Sequence, residues 1–142
     1  MQIRRADYDA DHAAIRAIRF SVFVDEQRVP ADEELDDRDT ACIHVLAFDG
    51  ENAVGTGRID LEADGKIGRV AIMASHRRRG VGTALMHYLH DVARRSGLAH
   101  VWCNAQSVAA PFYARLGYRV VSAPFFEADI EHVKMELDLP ND

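Results

Sequence analysis

Apolar residues recur along this chain with two different periods, and the switches between them lay out its elements. Gln2-Ile3-Arg4-Arg5 reads as a short strand, and the acids that follow it, Asp7, Asp9 and Asp11, are of the type that caps helix starts by accepting from free backbone N–H groups. Ile15, Ile18, Val22 and Phe23 then fall three and four apart, which makes one face of a helix apolar, and Pro30 stops whatever continues past Gln27. Strand-like runs follow at 43–48, 53–61 and 66–73, separated by the turn residues Asp49-Gly50-Glu51-Asn52 and Ala63-Asp64-Gly65. Loops this short predict three consecutive antiparallel strands. From Gly80 the helical spacing returns through Val81, Ala84, Leu85, Tyr88, Leu89, Val92 and Ala93, and Ser96-Gly97 is a natural stop. The pattern then predicts a buried strand over 99–103, a helix over 108–116 closed by Gly117, and two last strands over 118–122 and 133–139. The expected fold is one α/β (α+β) domain spanning 1–142, with a mixed sheet covered by helices.

Composition narrows what such a domain does. With 48% apolar and 28% charged residues the chain lies outside collagenous, low-complexity and disordered compositions. The charge-free stretch 20–24 is far shorter than the roughly 18 apolar residues of a membrane span, and no signal-peptide core follows Met1, so no membrane partner is expected and the cytoplasm is the expected compartment. Cys42 and Cys103 stand too far apart for a disulfide framework or a CxxC zinc site, so no metal is expected. The formal charge of −6 is carried by residues 25–39, where Asp25, Glu26, Asp32, Glu33, Glu34, Asp36, Asp37 and Asp39 outnumber Arg28 and Arg38. Such a run is either a solvated loop or a surface that attracts a cationic substrate. Opposite in sign stands His76-Arg77-Arg78-Arg79. The acidic balance and the lack of an aromatic platform beside these arginines argue against nucleic acid as a partner.

The chemistry concentrates where Val70-Ala71-Ile72-Met73 runs through Ala74-Ser75-His76 into Arg77-Arg78-Arg79-Gly80-Val81-Gly82-Thr83 and a helix begins. Strand, glycine loop and helix start form an anion site, because the first-turn N–H groups lack intrahelical partners and the helix dipole adds positive charge. Gly80 and Gly82 remove side chains that would hold a ligand off the backbone. Neither GxxxxGK[ST] nor GxGxxG is present. Arg77-x-x-Gly80-x-Gly82 does resemble the pyrophosphate motif [Q/R]-x-x-G-x-[G/A] of the GNAT superfamily of acyl-CoA-dependent N-acetyltransferases, and 109–118, AAPFYARLGY, resembles that superfamily's A-x-x-x-Y-x-x-L-G-[FY] segment. The segments Phe23-Val24-Asp25-Glu26-Gln27, Asn104-Ala105-Gln106 and Ala128-Asp129-Ile130-Glu131-His132 are similar to the small bacterial ElaA-like members.

This resemblance implies a mostly antiparallel sheet with helices on both faces and a central pair of strands that splay apart. It implies acetyl-CoA as acyl donor, CoA as product, an amine of a small molecule or protein as acceptor, and a monomer or homodimer. Backbone N–H groups of Ala71 and Ile72 would face the pantetheine and the carbonyl oxygen, and Arg77, Arg78, Arg79, Gly80, Val81, Gly82 and Thr83 would surround the diphosphate. The family's usual asparagine, seven residues before the tyrosine, is Gln106 here, with Asn104 two residues earlier, so either amide is a candidate for the pantetheine arm. Tyr113 takes the place of the general acid toward sulfur. Many members carry a glutamate on the strand that here reads Lys66-Ile67-Gly68-Arg69-Val70, and this chain has none there. Glu26, Glu127 and His132 are the candidate bases, with the histidine favoured because imidazole titrates near neutrality. Each also reads plainly: Glu26 as a surface charge, Glu127 as a strand end, His132 as a core histidine. Arg58 and Arg69, on adjacent strands, are candidates for an acceptor carboxylate. A sensor that binds acyl-CoA without turnover is the alternative; the missing glutamate favours it and Tyr113 opposes it.

Overall fold

Asp7 caps the first helix by accepting from the Asp9 N–H at 3.1 Å, and this sets the phase that turns Ile15, Ile18 and Arg19 inward. A computed structural model describes residues 1–140. Its elements are β1 (Gln2–Ala6), α1 (Tyr8–Arg19) with a π-helical continuation (Phe20–Glu26), α2 (Ala31–Glu34), β2 (Ile43–Asp49), β3 (Asn52–Asp60), β4 (Lys66–Ile72), α3 (Val81–Arg95), β5 (His100–Gln106), α4 (Ala110–Arg115), β6 (Arg119–Val120), β7 (Phe125–Glu127) and β8 (Ile130–Asp138). The strands form one sheet in the order β1-β2-β3-β4-β5-β8-β6, with β7 also on β8. Every pairing is antiparallel except that of β4 with β5. Ile15, Ile18 and Val22 pack with Leu46 and Ala71 on one face. Leu85, Met86 and Leu89 of α3 pack with Val45, Val101 and Met135 on the other, so helices cover both faces.

Two features of this sheet create the site. The first is the parting of β4 from β5. Their pairing is confined to Lys66 opposite Trp102, with the Trp102 N–H donating to the Gly65 carbonyl at 3.2 Å, whereas β5 pairs with β8 from His100 through Gln106. Past Lys66 the strands diverge, as the resemblance implies. The second is a bulge in β4: Arg58 faces Gly68 and Thr56 faces Ala71, so one residue too many is fitted between them, and Arg69 takes a left-handed φ of 52°. A bulge bends the strand and re-aims a side chain, here that of Arg69.

The elements follow the expected order, with differences at the ends. The 108–116 helix starts with a 3-10 turn, Ser107–Ala109, before α4. The strand expected over 118–122 is only β6, beyond which the Lys134 N–H donates to the Ser122 hydroxyl at 2.8 Å instead of to a backbone carbonyl, and β7 forms a hairpin with β8 around Ala128 and Asp129, both with positive φ. Ala-Asp lacks the Asn-Gly signature of such a turn, so nothing in the pattern announced it. The single turn α2 is too short for any periodicity.

Candidate active site

The gap between β4 and β5 opens into a cavity of about 1010 Å³ reached from both sheet faces. On the α3 side it is walled by the 76–83 loop, Phe112 and Tyr113; on the α1 side by Val22, Phe23, Val29, Glu33, Glu34 and Arg69; and between them by β4, Cys103, Asn104, Gln106 and His132. Cys103 is buried among apolar groups, which pushes its thiol up to about 12 and leaves no thiolate for nucleophilic chemistry. Among the described residues no helix is long and apolar enough to cross a membrane, and no cluster of three metal-ligating side chains occurs.

At the start of α3 the chain takes two left-handed steps, Arg78 at φ 62° and Gly80 at φ 80°. Gly80 is the N-cap, and the first intrahelical donor is the Ala84 N–H, so the N–H groups of Val81, Gly82 and Thr83 precede the helical ladder. A Cβ on Gly82 would lie 3.3 Å from the Phe112 ring, so even the smallest side chain narrows the cradle. Free first-turn amides, two glycines and a large adjoining cavity fit the diphosphate and arm of an acyl-CoA. The arginines behave differently from expectation. Arg77 is turned away from the loop: its guanidinium holds both carboxylate oxygens of Glu26, at 2.7 and 2.8 Å, and its Nε donates to the Ile72 carbonyl at 3.0 Å. Arg79 is not among the cavity-lining residues, whereas Arg78 is. The same ion pair withdraws Glu26 from the candidate bases, since the Arg77 guanidinium holds its carboxyl below the usual range.

Of the two backbone donors expected on β4, the geometry keeps one. The Met73 N–H donates to the Val54 carbonyl of β3 at 2.8 Å. Amide directions alternate along a strand, so Ala71 points its N–H toward β3, and Ile72 and Val70 point theirs toward the gap. Ala71 thus packs beneath α1 with its N–H turned to β3, and Val70, which the sequence reading did not single out, joins Ile72 as a candidate donor facing the gap.

Across the gap, Tyr113 is buried against Phe112 and Tyr118, with ring centroids 5.1 and 5.5 Å away in edge-on arrangements. Tyr118 is itself held by His90, Nε2 to hydroxyl 2.6 Å, and burial pushes His90 down to about 4, so it stays neutral and accepts from that hydroxyl. Burial raises the Tyr113 hydroxyl far above its ordinary value, which keeps it protonated and able to donate. His132 is 8% exposed, stacks on Phe125 at 5.9 Å, and places Nδ1 2.7 Å from the Ile130 carbonyl. That bond assigns the proton to Nδ1 and leaves Nε2 as an acceptor. Glu127 is exposed and accepts from Asn104 Nδ2 at 3.3 Å, while Gln106 donates to Gln27 Oε1 at 2.7 Å across the mouth of the gap. Gln27 is a second residue the sequence reading did not single out.

The acidic segment divides: Asp25, Asp32, Glu33 and Asp37 are exposed, while Glu34 and Asp39 are buried. Three of its acids close a ring of alternating charges with three arginines: Arg19 to Glu34 at 2.5 Å, Glu34 to Arg69 at 3.6 Å, Arg69 to Asp36 at 3.2 Å, Asp36 to Arg58 at 2.6 Å, Arg58 to Asp39 at 2.6 Å, and Asp39 back to Arg19 at 2.8 Å. Arg58 is thus consumed internally and does not line the cavity, so it is withdrawn as a substrate ligand. The signal available in the sequence was Arg19 itself, a cation four residues from Ile15 on the apolar stripe of α1.

Comparison with known proteins agrees with this geometry. Residues 7–139 match the family described as Acetyltransferase (GNAT) domain. The chain is 42% identical to the uncharacterized N-acetyltransferase YjcF of Bacillus subtilis (strain 168) over 123 residues, 85% of this chain and 88% of that protein. The crystal structure of an acyl-CoA N-acyltransferase from Pseudomonas aeruginosa superposes with a TM-score of 0.85 at 26% identity, covering 96% of this chain and 99% of that one. Escherichia coli ElaA shares the fold, with a TM-score of 0.82 at 24% identity over 96% and 99% of the two chains.

Proposed function

The chain belongs to the acetyltransferase (GNAT) domain family, and from that premise we propose that it transfers an acetyl group from acetyl-CoA to the amine of a small molecule by direct attack. The observation that carries this reading is the meeting, in one cavity, of the free amides at the start of α3, the unpaired edge of β4 and a buried tyrosine. Acetyl-CoA supplies an activated thioester carbonyl. The amides of Val81, Gly82 and Thr83 bind its diphosphate, and Val70 and Ile72 direct theirs to the arm and the carbonyl oxygen. Fixed donors at that oxygen lower the barrier, each worth about a hundredfold or more in rate. His132 Nε2 takes the proton from the attacking amine, and the Tyr113 hydroxyl gives its proton to sulfur as the C–S bond breaks. Glu127, hydrogen-bonded and exposed, orients Asn104 beside the gap.

Two outcomes test this directly. CoA is expected to raise the melting temperature, since a ligand at a hundred times its Kd adds about 2.7 kcal/mol to the native state. Gly82→Glu, which sets a carboxylate against both Phe112 and the diphosphate path, is expected to abolish that shift while leaving the unliganded fold intact. An undiminished shift in the variant would remove the α3 loop from the site. Separately, His132→Gln is expected to lower kcat by at least about a hundredfold; an unchanged rate would exclude the histidine.

A further inference from the structure

We propose that Arg69 selects the acceptor, and that the acceptor is an amine which also carries a carboxylate and a short apolar portion. The proposal rests on the acyl-transfer reading above and deepens it. The α1 side of the cavity, opposite the α3 loop, offers an incoming molecule an apolar wall of Val22, Phe23 and Val29, with Arg69 beside it; of the two acids on this side, Glu34 is buried and paired with Arg19, and Glu33 is exposed. Among the cations lining the cavity, Arg77 is spent on Glu26, Arg78 belongs to the diphosphate loop, Lys66 lies 5.3 Å from the Trp102 ring, and Arg115 stands on α4, the helix that carries Phe112 and Tyr113 on the α3 side. Arg69 is the cation that remains on this side.

Its place in the charge ring makes it available. The Arg19 and Arg58 side chains are 1% and 10% exposed and hold their carboxylates at 2.5–2.8 Å, whereas Arg69 is 29% exposed and holds its own at 3.2 and 3.6 Å. Its Nε and Nη2 share the Glu34 carbonyl and Asp36, and among the described residues Nη1 has no partner. Glu34 and Asp36, the two carboxylates Arg69 touches, each hold another guanidinium closer, Arg19 at 2.5 Å and Arg58 at 2.6 Å, so Arg69 is the most loosely held member of the ring. Burial and the nearby Arg58 cation push its pKa down, the direction expected of a cation lacking a full complement of negative charge. The backbone points the same way. A non-glycine residue at φ 52° inside a strand is costly, and such strain persists where it aims a side chain at a task. With Nη1 unengaged, Arg69 can still donate a charge-assisted hydrogen bond to a carboxylate.

The test compares matched amines with acetyl-CoA: leucine with leucinamide, phenylalanine with phenylalaninamide, and lysine with cadaverine. Turnover is followed as thiol release, and binding to the CoA-loaded protein by calorimetry. The carboxylate member is expected to be preferred by about 10- to 100-fold in kcat/KM or Kd, the effect of a charge-assisted hydrogen-bonded pair. Amidation makes an amine less basic and more often neutral, which biases the comparison against the proposal. Arg69→Gln is expected to bring the ratio to near unity, and Arg69→Lys to restore part of it. Because the ratio is taken within one protein, loss of folded material in a variant does not imitate the result. Equal use of both members, an undiminished ratio in Arg69→Gln, or no binding by any carboxylate would overturn the proposal. Arg69-dependent binding without thiol release would leave it standing and overturn acyl transfer instead.

Discussion

Arg19→Met is expected to cost about 3–5 kcal/mol of stability, more than any other single substitution on the α1 face, because it removes one partner from a buried charge cluster and leaves the rest in place. Arg19 holds Glu34 at 2.5 Å and Asp39 at 2.8 Å, all three being nearly inaccessible to water. Methionine fills a similar volume without the charge, so the loss isolates electrostatics from packing. Breaking the Arg4–Asp11 pair at the surface, where Arg4 is 41% exposed, is expected to cost at most about 1 kcal/mol. The cluster also fixes a pH dependence. Burial pushes the Asp39 carboxyl upward, but the Arg19 and Arg58 guanidinia outweigh it, and Arg58 holds Asp36 down as well. A carboxyl lowered by folding adds stability above its unfolded pKa of about 3.9 and loses it as pH falls toward the native value. Wild type is therefore expected to lose stability steeply below about pH 4, and Arg19→Met less steeply. Urea midpoints at neutral pH and at pH 3.5 measure both, and a loss under 1 kcal/mol at neutral pH would show that the ring contributes little.

Tyr113→Phe is expected to lower kcat by about a hundredfold or more with little change in the KM for acetyl-CoA. The substitution removes one hydroxyl from a ring that stays wedged between Phe112 and Tyr118, so the melting temperature should hardly move. Steady-state kinetics on a slow acceptor, with product acetylation confirmed by mass, separates this from a folding defect. Unchanged turnover would assign protonation of the sulfur to water or another group.

The parts of this molecule written in local order could be read from the sequence. The three-and-four spacings of α1 and α3, the glycines before α3 and the AAPFYARLGY segment are contiguous signals, and they located both helical layers, the loop and the tyrosine. What stayed hidden depends on partners distant in sequence. Nothing in the acidic run 25–39 distinguishes Glu34, Asp36 and Asp39 from Asp32, Glu33 and Asp37; only the fold, by bringing Arg19, Arg58 and Arg69 together from three elements, sorts the acids that pair with these arginines from the rest. The direction of the Ala71 amide hinges on a bulge, which shifts alternation by one residue and leaves no compositional mark. Arg77 matched the motif, yet its guanidinium lies 51 positions from the Glu26 that captures it.

The central claim is acyl transfer to an amine, and thiol release from acetyl-CoA in the presence of a panel of amines measures it most directly. Release that rises with added amine, matched one for one by acetylated product and lost together in Gly82→Glu, is the predicted result. Acetyl-CoA that binds and stabilises the chain, but whose thioester is cleaved no faster with any amine than without, would contradict it and leave a protein that senses acyl-CoA without consuming it.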